Sequence, residues 1–203
     1  MTRDFTLLLL VPVVISLIQA GVTVFLKKVY SEHRKFIFVI ELIFMMTIGV
    51  LVVYYATLLS IVALPTFLIG IGFMAFFLHL ASMRLEGYEH EFVEGMTFGS
   101  SFSIHPEIGA IAAFMIATHK SVESSLVALP FLEKDQPGEA FVAVILRSIV
   151  YIVAGAALYF ISRTNYLTAA GFSGFSAGCI LYLTWHEWNA GKFLEQKARR
   201  KRR

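Results

Sequence analysis

Residues 90–123 read HEFVEGMTFGSSFSIHPEIGAIAAFMIATHKSVE, two largely apolar segments joined by a His-Pro-Glu turn. Each segment carries a histidine and a glutamate four residues apart, His90 with Glu94 and His119 with Glu123. Residues four apart lie on the same face of an α-helix. If the chain reverses at the turn, an antiparallel helical hairpin sets Glu94 level with His119 and His90 level with Glu123. The stretch therefore predicts two helices whose polar side chains meet at a similar depth.

The composition around this stretch is typical of a membrane protein. Hydrophobic residues make up 58% of the 203 residues and charged residues 15%, against roughly 25% charged residues in a soluble domain. The mean hydropathy is +0.74. The single cysteine, Cys179, excludes an intrachain disulfide. We expect a multi-pass protein of the cell membrane, in contact with the lipid bilayer.

Seven apolar stretches approach the length of about 20 residues that a membrane-spanning helix needs. They are 6–26, 36–58, 62–83, 86–104, 108–131, 139–162 and 168–189. The fourth is rich in glutamate, and we include it because the turn at 105–107 needs a returning partner helix. An alternative for the first is a cleaved signal sequence. The chain is thus predicted to be an all-α, polytopic helical bundle of about seven transmembrane helices, forming one domain over 1–203.

Lysine and arginine residues are distributed unevenly about these spans. Two fall on one side, Arg3 and Arg163, and thirteen on the other. The thirteen lie in the loop 27–35, in the tail 190–203, and at Arg84 and Lys134. Basic loops stay on the cytoplasmic side, which predicts the N-terminus outside and the C-terminus inside. Beside a final span, the basic cytoplasmic tail predicts contact with anionic lipid and no nucleic-acid partner.

The paired histidines and glutamates suit a divalent metal ion such as Zn²⁺, which accepts imidazole and carboxylate ligands. Burying them in a bilayer without compensation would cost several kcal/mol, which favours a metal site. Lys120 lies next to His119 and can neutralise Glu91, Glu94 or Glu123. A structural ion pair and a functional role for this lysine both remain open.

The two motifs resemble spans four and five of the ZIP family of divalent-metal transporters. In that family, span four carries His-Asn-x-x-(Asp/Glu)-Gly or His-Asn-x-Pro-Glu-Gly, and span five carries His-x-x-Pro-(Glu/His). Here the corresponding segments are 90–95 and 119–123, which begin 29 residues apart. Residues 174–182, GFSAGCILY, resemble the family's span seven. That span ends in an acidic cluster, and the corresponding acidic residue here is Glu187. The resemblance covers spans four to seven, about half of the chain.

The resemblance implies inward transport of a divalent metal ion, with Zn²⁺ as the first candidate substrate and Fe²⁺, Mn²⁺ or Cd²⁺ as alternatives. The implied metal ligands are His90, Glu91, Glu94, His119 and Glu123. Lys120 occupies the position of a ligand to a second ion, and Tyr151 aligns near a glutamate of span six. These two differences from the family imply that the site holds a single ion, with the ammonium group of Lys120 in place of the second ion's charge. Valines, Val93 and Val122, replace the two family prolines. A homodimer is an open alternative for the assembly.

A pathway through the bundle can be predicted from the remaining polar residues. Entry would pass His105 and Glu107 at the outer turn. Exit at the inner face would use Glu86, Glu89, His186 and Glu187. Two further charges inside the predicted spans, Glu41 and Arg147, are interpreted as structural.

Two alternatives to transport stay open. One is an intramembrane metal-dependent hydrolase, with Glu91 as the general base acting on a metal-bound water. The absence of a His-Glu-x-x-His motif favours a protein that is not an enzyme. The other is a degenerate, non-transporting ZIP-like protein in which Lys120 fills the site permanently.

Overall fold

The computed structural model describes residues 3–80 and 88–201, with side chains placed at all of these except 59, 80 and 190–201. It is all-helical: 93% of the described residues lie in helices, and these residues contain no strand. Its helices are α1 (Arg3–Phe25), α2 (Lys27–Glu32), α3 (Arg34–Leu59), α4 (Ala63–Leu80), α5 (Tyr88–Ile104), α6 (Pro106–Glu133), α7 (Pro137–Ser162) and α8 (Tyr166–Lys201). Arg84 and Glu86 lie outside the described residues.

Turn residues account for where the helices of the second half begin. Pro106 and Pro137 lie in the first turns of α6 and α7, where a missing N–H removes no helical hydrogen bond. Between α6 and α7, Asp135 has a positive φ of 57°, a conformation that aspartate tolerates better than most residues. The chain reverses at both points, so α5, α6 and α7 pack against one another.

Within the described residues, all seven predicted segments form helices, and so do parts of the predicted loop and of the basic tail. The predicted loop 27–35 contains α2, and α8 continues from the last apolar stretch through the tail to Lys201. Lys27–Glu32 has no glycine or proline to interrupt a helix. Tyr30 also ties α2 to α1, because Gln19 Nε2 donates a hydrogen bond to its hydroxyl at 2.5 Å. The prediction of a loop over 27–35 is therefore wrong for Lys27–Glu32, which form a helix.

Four helices of the described residues are long and apolar enough to cross a membrane. They are Arg3–Phe25, Arg34–Leu58, Pro137–Ser162 and Tyr166–Asn189, and Ala63–His79 is a shorter apolar helix. The outer surface is apolar as well: Phe114 is 73% exposed, Phe76 63% and Ile18 61%. The interior, in contrast, holds serine, threonine, glutamate and histidine side chains. This arrangement is that of a membrane protein, with apolar groups outside and polar groups enclosed.

The 17-residue helix α5 is the most enclosed element and holds half of the predicted site. It packs against α6, α7 and α8, and its side chains from His90 to Phe102 are buried with the exception of Phe92. The approach to α7 is so close that a Cβ at Gly95 would lie 2.4 Å from the Tyr151 carbonyl oxygen. At Gly99 the corresponding distance to the Gly155 carbonyl oxygen is 2.2 Å. Only glycine permits this contact, as in other small-residue helix interfaces of membranes.

Candidate metal centre

The predicted hairpin of α5 and α6 brings the two motifs together in the interior. His105 caps α6, and its Nδ1 accepts a hydrogen bond from the Glu107 backbone N–H at 3.4 Å. On the two helices below this turn, His119 Nε2 lies 3.0 Å from Glu94 Oε1, and both side chains are fully buried. Glu94 and His119 form the pair that the hairpin register predicts to be level.

Lys120 lies among three buried carboxylates. Its Nζ is 2.7 Å from Glu91 Oε2 and 2.5 Å from Glu94 Oε2, and it also contacts Glu123 Oε2. All four side chains are buried. Charges in such surroundings are stable only when they are paired. The ammonium group therefore holds the carboxylates of α5 and α6 together.

Glu123 is the carboxylate that the remaining contacts share. Its Oε2 lies 3.6 Å from His119 Nε2, one turn away on α6. Its Oε1 accepts a hydrogen bond of 3.4 Å from Arg147 Nη1 on α7. Arg147 was predicted to be structural, and the structure pairs it with Glu123 of the centre.

Glu41 of α3 is the residue that the sequence interpretation left out of the site. The helix α3 packs against α6, and Glu41 is only 7% exposed. It forms a group with His119 and Glu123 in which one ligand atom of each residue lies within 4.8 Å of the others. The signal available in the sequence was a lone carboxylate within an apolar span, which by default marks a functional site.

The buried side chains form two candidate ligand groups that share Glu123. The first is Glu41, His119 and Glu123, with one nitrogen and two oxygen ligands; the second is Glu91, Glu94 and Glu123, all oxygen. Mixed nitrogen and oxygen ligands suit Zn²⁺, whereas carboxylates alone suit Mg²⁺ or Mn²⁺. The all-oxygen group is the one that surrounds Lys120.

Carboxylates outnumber the permanent cations in this centre. Its four carboxylates face two permanent cations, Lys120 and Arg147. With the carboxylates ionised and His119 neutral, two negative charges remain in the interior. In addition, His119 Nδ1 is buried and makes no hydrogen bond to the described residues. A single divalent cation would both neutralise the cluster and use an imidazole ligand.

His90, one of the five predicted ligands, belongs to neither ligand group. It is buried, and its Nε2 lies 3.5 Å from Glu187 Oε1 on α8. Glu187 is half-buried, whereas the neighbouring His186 is exposed and stacks on Tyr182 with the ring centroids 6.4 Å apart. The structure therefore places His90 beside the predicted inner residues on α8.

The other predicted residues lie at different places around the centre. Tyr151 on α7 is fully buried, and its hydroxyl has no hydrogen-bond partner among the described residues. His105 and Glu107 are exposed at the turn between α5 and α6. Glu89 is half-buried and lines an apolar cavity of about 250 Å³ between α4, α5, α7 and α8. Glu86 falls outside the described residues.

Comparison with protein-family models, curated protein sequences and solved structures finds no match for this chain. The resemblance to the ZIP family therefore depends on the sequence motifs alone, those of α5 and α6 and residues 174–182 of α8.

Proposed function

We propose that this chain is a membrane transporter of divalent metal ions, with Zn²⁺ as the preferred substrate. The observation that carries the proposal is the buried centre between α3, α5 and α6, where four carboxylates and one imidazole converge beside two permanent cations. Removing ionised carboxylates from water is expensive unless a cation pairs with them. A divalent ion of suitable ligand preference would pair with the carboxylates that Lys120 and Arg147 do not neutralise.

The surroundings of the centre support transport in preference to a surface metal site. The centre is enclosed by helices whose outer faces are apolar. Its ligands come from three different helices, so an ion bound there lies between transmembrane segments. An ion in such a position is shielded from lipid and reaches either side only along the helix interfaces.

The proposal includes seven spans, with the N-terminus outside and the C-terminus inside. These are α1 and α3–α8. The helix α5 is about 26 Å long at 1.5 Å per residue, slightly less than the hydrocarbon core. Its neighbours α6, α7 and α8 cover it, so its glutamates need not face lipid. The basic tail 190–203 then lies on the cytoplasmic face, close to anionic lipid.

The route of the ion follows from where the predicted pathway residues lie. His105 and Glu107 are exposed at the outer turn, and His90 lies 15 residues before His105, about 22 Å along α5. An ion entering at this turn would reach Glu94 and His119 first. It would leave past His90 and Glu187. The resemblance to ZIP transporters gives the inward direction.

A second candidate is a non-transporting protein in which Lys120 compensates the site permanently. The direct contacts of Lys120 with Glu91, Glu94 and Glu123 favour it. The second ligand group counts against it, because Glu41 and His119 offer ligand atoms beside Glu123 in addition to the three carboxylates that Lys120 contacts. A hydrolase is less well supported, since the proposed general base Glu91 is paired with Lys120.

The test is Zn²⁺ entry into proteoliposomes that contain a zinc-sensitive dye. Wild type is compared with His119→Ala and Glu94→Ala. The matched controls are His33→Ala and Glu133→Ala, which replace exposed residues of the same types. We expect saturable entry in wild type and both controls, and loss of entry in both centre variants. Wild-type vesicles that hold folded protein but admit no Zn²⁺ would refute transport.

A further inference from the structure

The carboxylate of Glu41 lies on the inward-facing side of α3, directed at α6. Glu41 is followed at helical spacing by Met45, Ile48 and Val52, all of which are buried. These positions form one stripe of α3. An apolar residue at position 41 would continue this buried stripe, but the residue at that position is a glutamate. Such a group needs a cationic partner.

The cations of the centre are already engaged with other carboxylates. Lys120 Nζ contacts Glu91, Glu94 and Glu123, and Arg147 Nη1 contacts Glu123. The group that contains Glu41 has His119 as its third member instead. One face of the centre is therefore compensated by an ammonium group, while the face towards α3 offers two carboxylates and an imidazole.

His119 supplies an independent observation that a ligand belongs on this face. It is fully buried, and its Nε2 contacts Glu94 Oε1 at 3.0 Å. Its Nδ1 has no hydrogen-bond partner among the described residues. A fully buried imidazole whose ring nitrogens make no hydrogen bond to the described residues, and which lies within reach of two carboxylates, is suited to bind a metal ion.

We propose that Glu41 is a direct ligand of the transported ion, and that with His119 and Glu123 it forms a single site between α3 and α6. This inference rests on the proposed transport function and adds to it a residue from α3. The ligand atoms lie within 4.8 Å of one another. Ligands at 2.0–2.2 Å from a tetrahedral ion are about 3.4 Å apart. Side-chain rotations that move the ligand atoms by about an ångström would close this gap without moving a helix.

The position of Lys120 limits where the ion can bind. The ammonium group occupies the all-oxygen side, so it does not share the same space as the ion and need not leave when the ion binds. Glu123, which belongs to both groups, contacts both cations. The expected stoichiometry is one ion per chain, because one ligand group remains beside the one that Lys120 occupies.

The test uses Co²⁺ binding to the purified full-length chain in lipid nanodiscs, because visible absorption of Co²⁺ reports its ligands. The variants are Glu41→Gln, Glu41→His and His119→Ala. The matched control is Met45→Leu, which changes the next buried residue of the same stripe while conserving volume. Folding of each variant is checked by thermal unfolding without metal.

We expect Glu41→Gln to weaken Co²⁺ binding at least about tenfold, the minimum effect of disturbing even an outer partner of a metal ligand. Glu41→His should restore the affinity and shift the absorption spectrum, since it replaces an oxygen ligand with nitrogen. Met45→Leu should match wild type.

The alternatives are distinguishable. If Glu41→Gln binds like wild type while His119→Ala does not bind, Glu41 is not a ligand and the proposed function stands. If Glu41→Gln and Glu41→His are equally weak, the role of Glu41 is structural and the inference is overturned. If wild type does not bind Co²⁺ at all, both the inference and the metal-transport function are refuted.

Discussion

Replacement of Lys120 by methionine tests how the centre is held together. The substitution keeps most of the side-chain volume and removes the ammonium group. Lys120 contacts Glu91 at 2.7 Å, Glu94 at 2.5 Å, and Glu123. Without it, three buried carboxylates face one another with only Arg147 and His119 near Glu123.

The expected loss of stability follows from these contacts. Removing one partner of a buried ion pair destabilises a protein by about 3–5 kcal/mol. For a chain of this size, this is a decrease of roughly 6–20 °C in unfolding temperature. The decrease should be larger at pH 8 than at pH 5, because the unpaired carboxylates can take up protons at the lower pH.

Bound metal should reverse the effect. A cation present at about 100 times its Kd stabilises the folded chain by about 2.7 kcal/mol, so saturating Zn²⁺ should restore much of the loss in Lys120→Met. The assay is thermal unfolding in lipid nanodiscs, with EDTA and with Zn²⁺. Lys28→Met, at an exposed position of α2, is the control. A Lys120→Met protein as stable in EDTA as wild type would refute the reasoning.

Three further predictions concern transport and packing. Zn²⁺ uptake should fall between pH 7 and pH 5, because His119 and the carboxylates must lose their protons to bind metal; a flat profile in a liposome flux assay would contradict imidazole ligation. Gly95→Ala should destabilise the chain by about 1–3 kcal/mol, since a Cβ there meets a backbone carbonyl of α7, whereas Gly72→Ala, with open space around it, should not; thermal unfolding of the two variants decides this. His90→Gln and Glu187→Gln should each slow Zn²⁺ entry without changing its equilibrium affinity, because neither belongs to a ligand group; an affinity loss in calorimetry would show that they bind the ion directly.

The helices and the α5–α6 register could be predicted from the sequence because both depend on short-range rules. The apolar stretches specify helices by length, and the turn at His105 fixes which residues face each other. The turn predicts that Glu94 is level with His119, and the structure places Glu94 Oε1 3.0 Å from His119 Nε2. A hairpin with a known turn needs no knowledge of the rest of the bundle.

Contacts between helices that are distant in sequence could not be predicted in this way. The residues one turn from Glu41 along α3 are apolar, so the sequence of α3 did not indicate that Glu41 would lie beside His119 and Glu123. His90 was expected to be level with Glu123, but its partner is Glu187 on α8. These pairings depend on how α3 and α8 pack around the hairpin, and single-helix patterns carry no information about that.

Zinc K-edge X-ray absorption of the purified, Zn²⁺-loaded chain tests the central claim most directly. The account predicts one tightly held Zn²⁺ per chain, with one imidazole nitrogen and carboxylate oxygens at about 2.0–2.2 Å. The imidazole contribution should vanish in His119→Ala. A sulfur neighbour at about 2.3 Å, which only Cys179 or a methionine can supply, would contradict the account, and so would a chain that retains no Zn²⁺ after desalting.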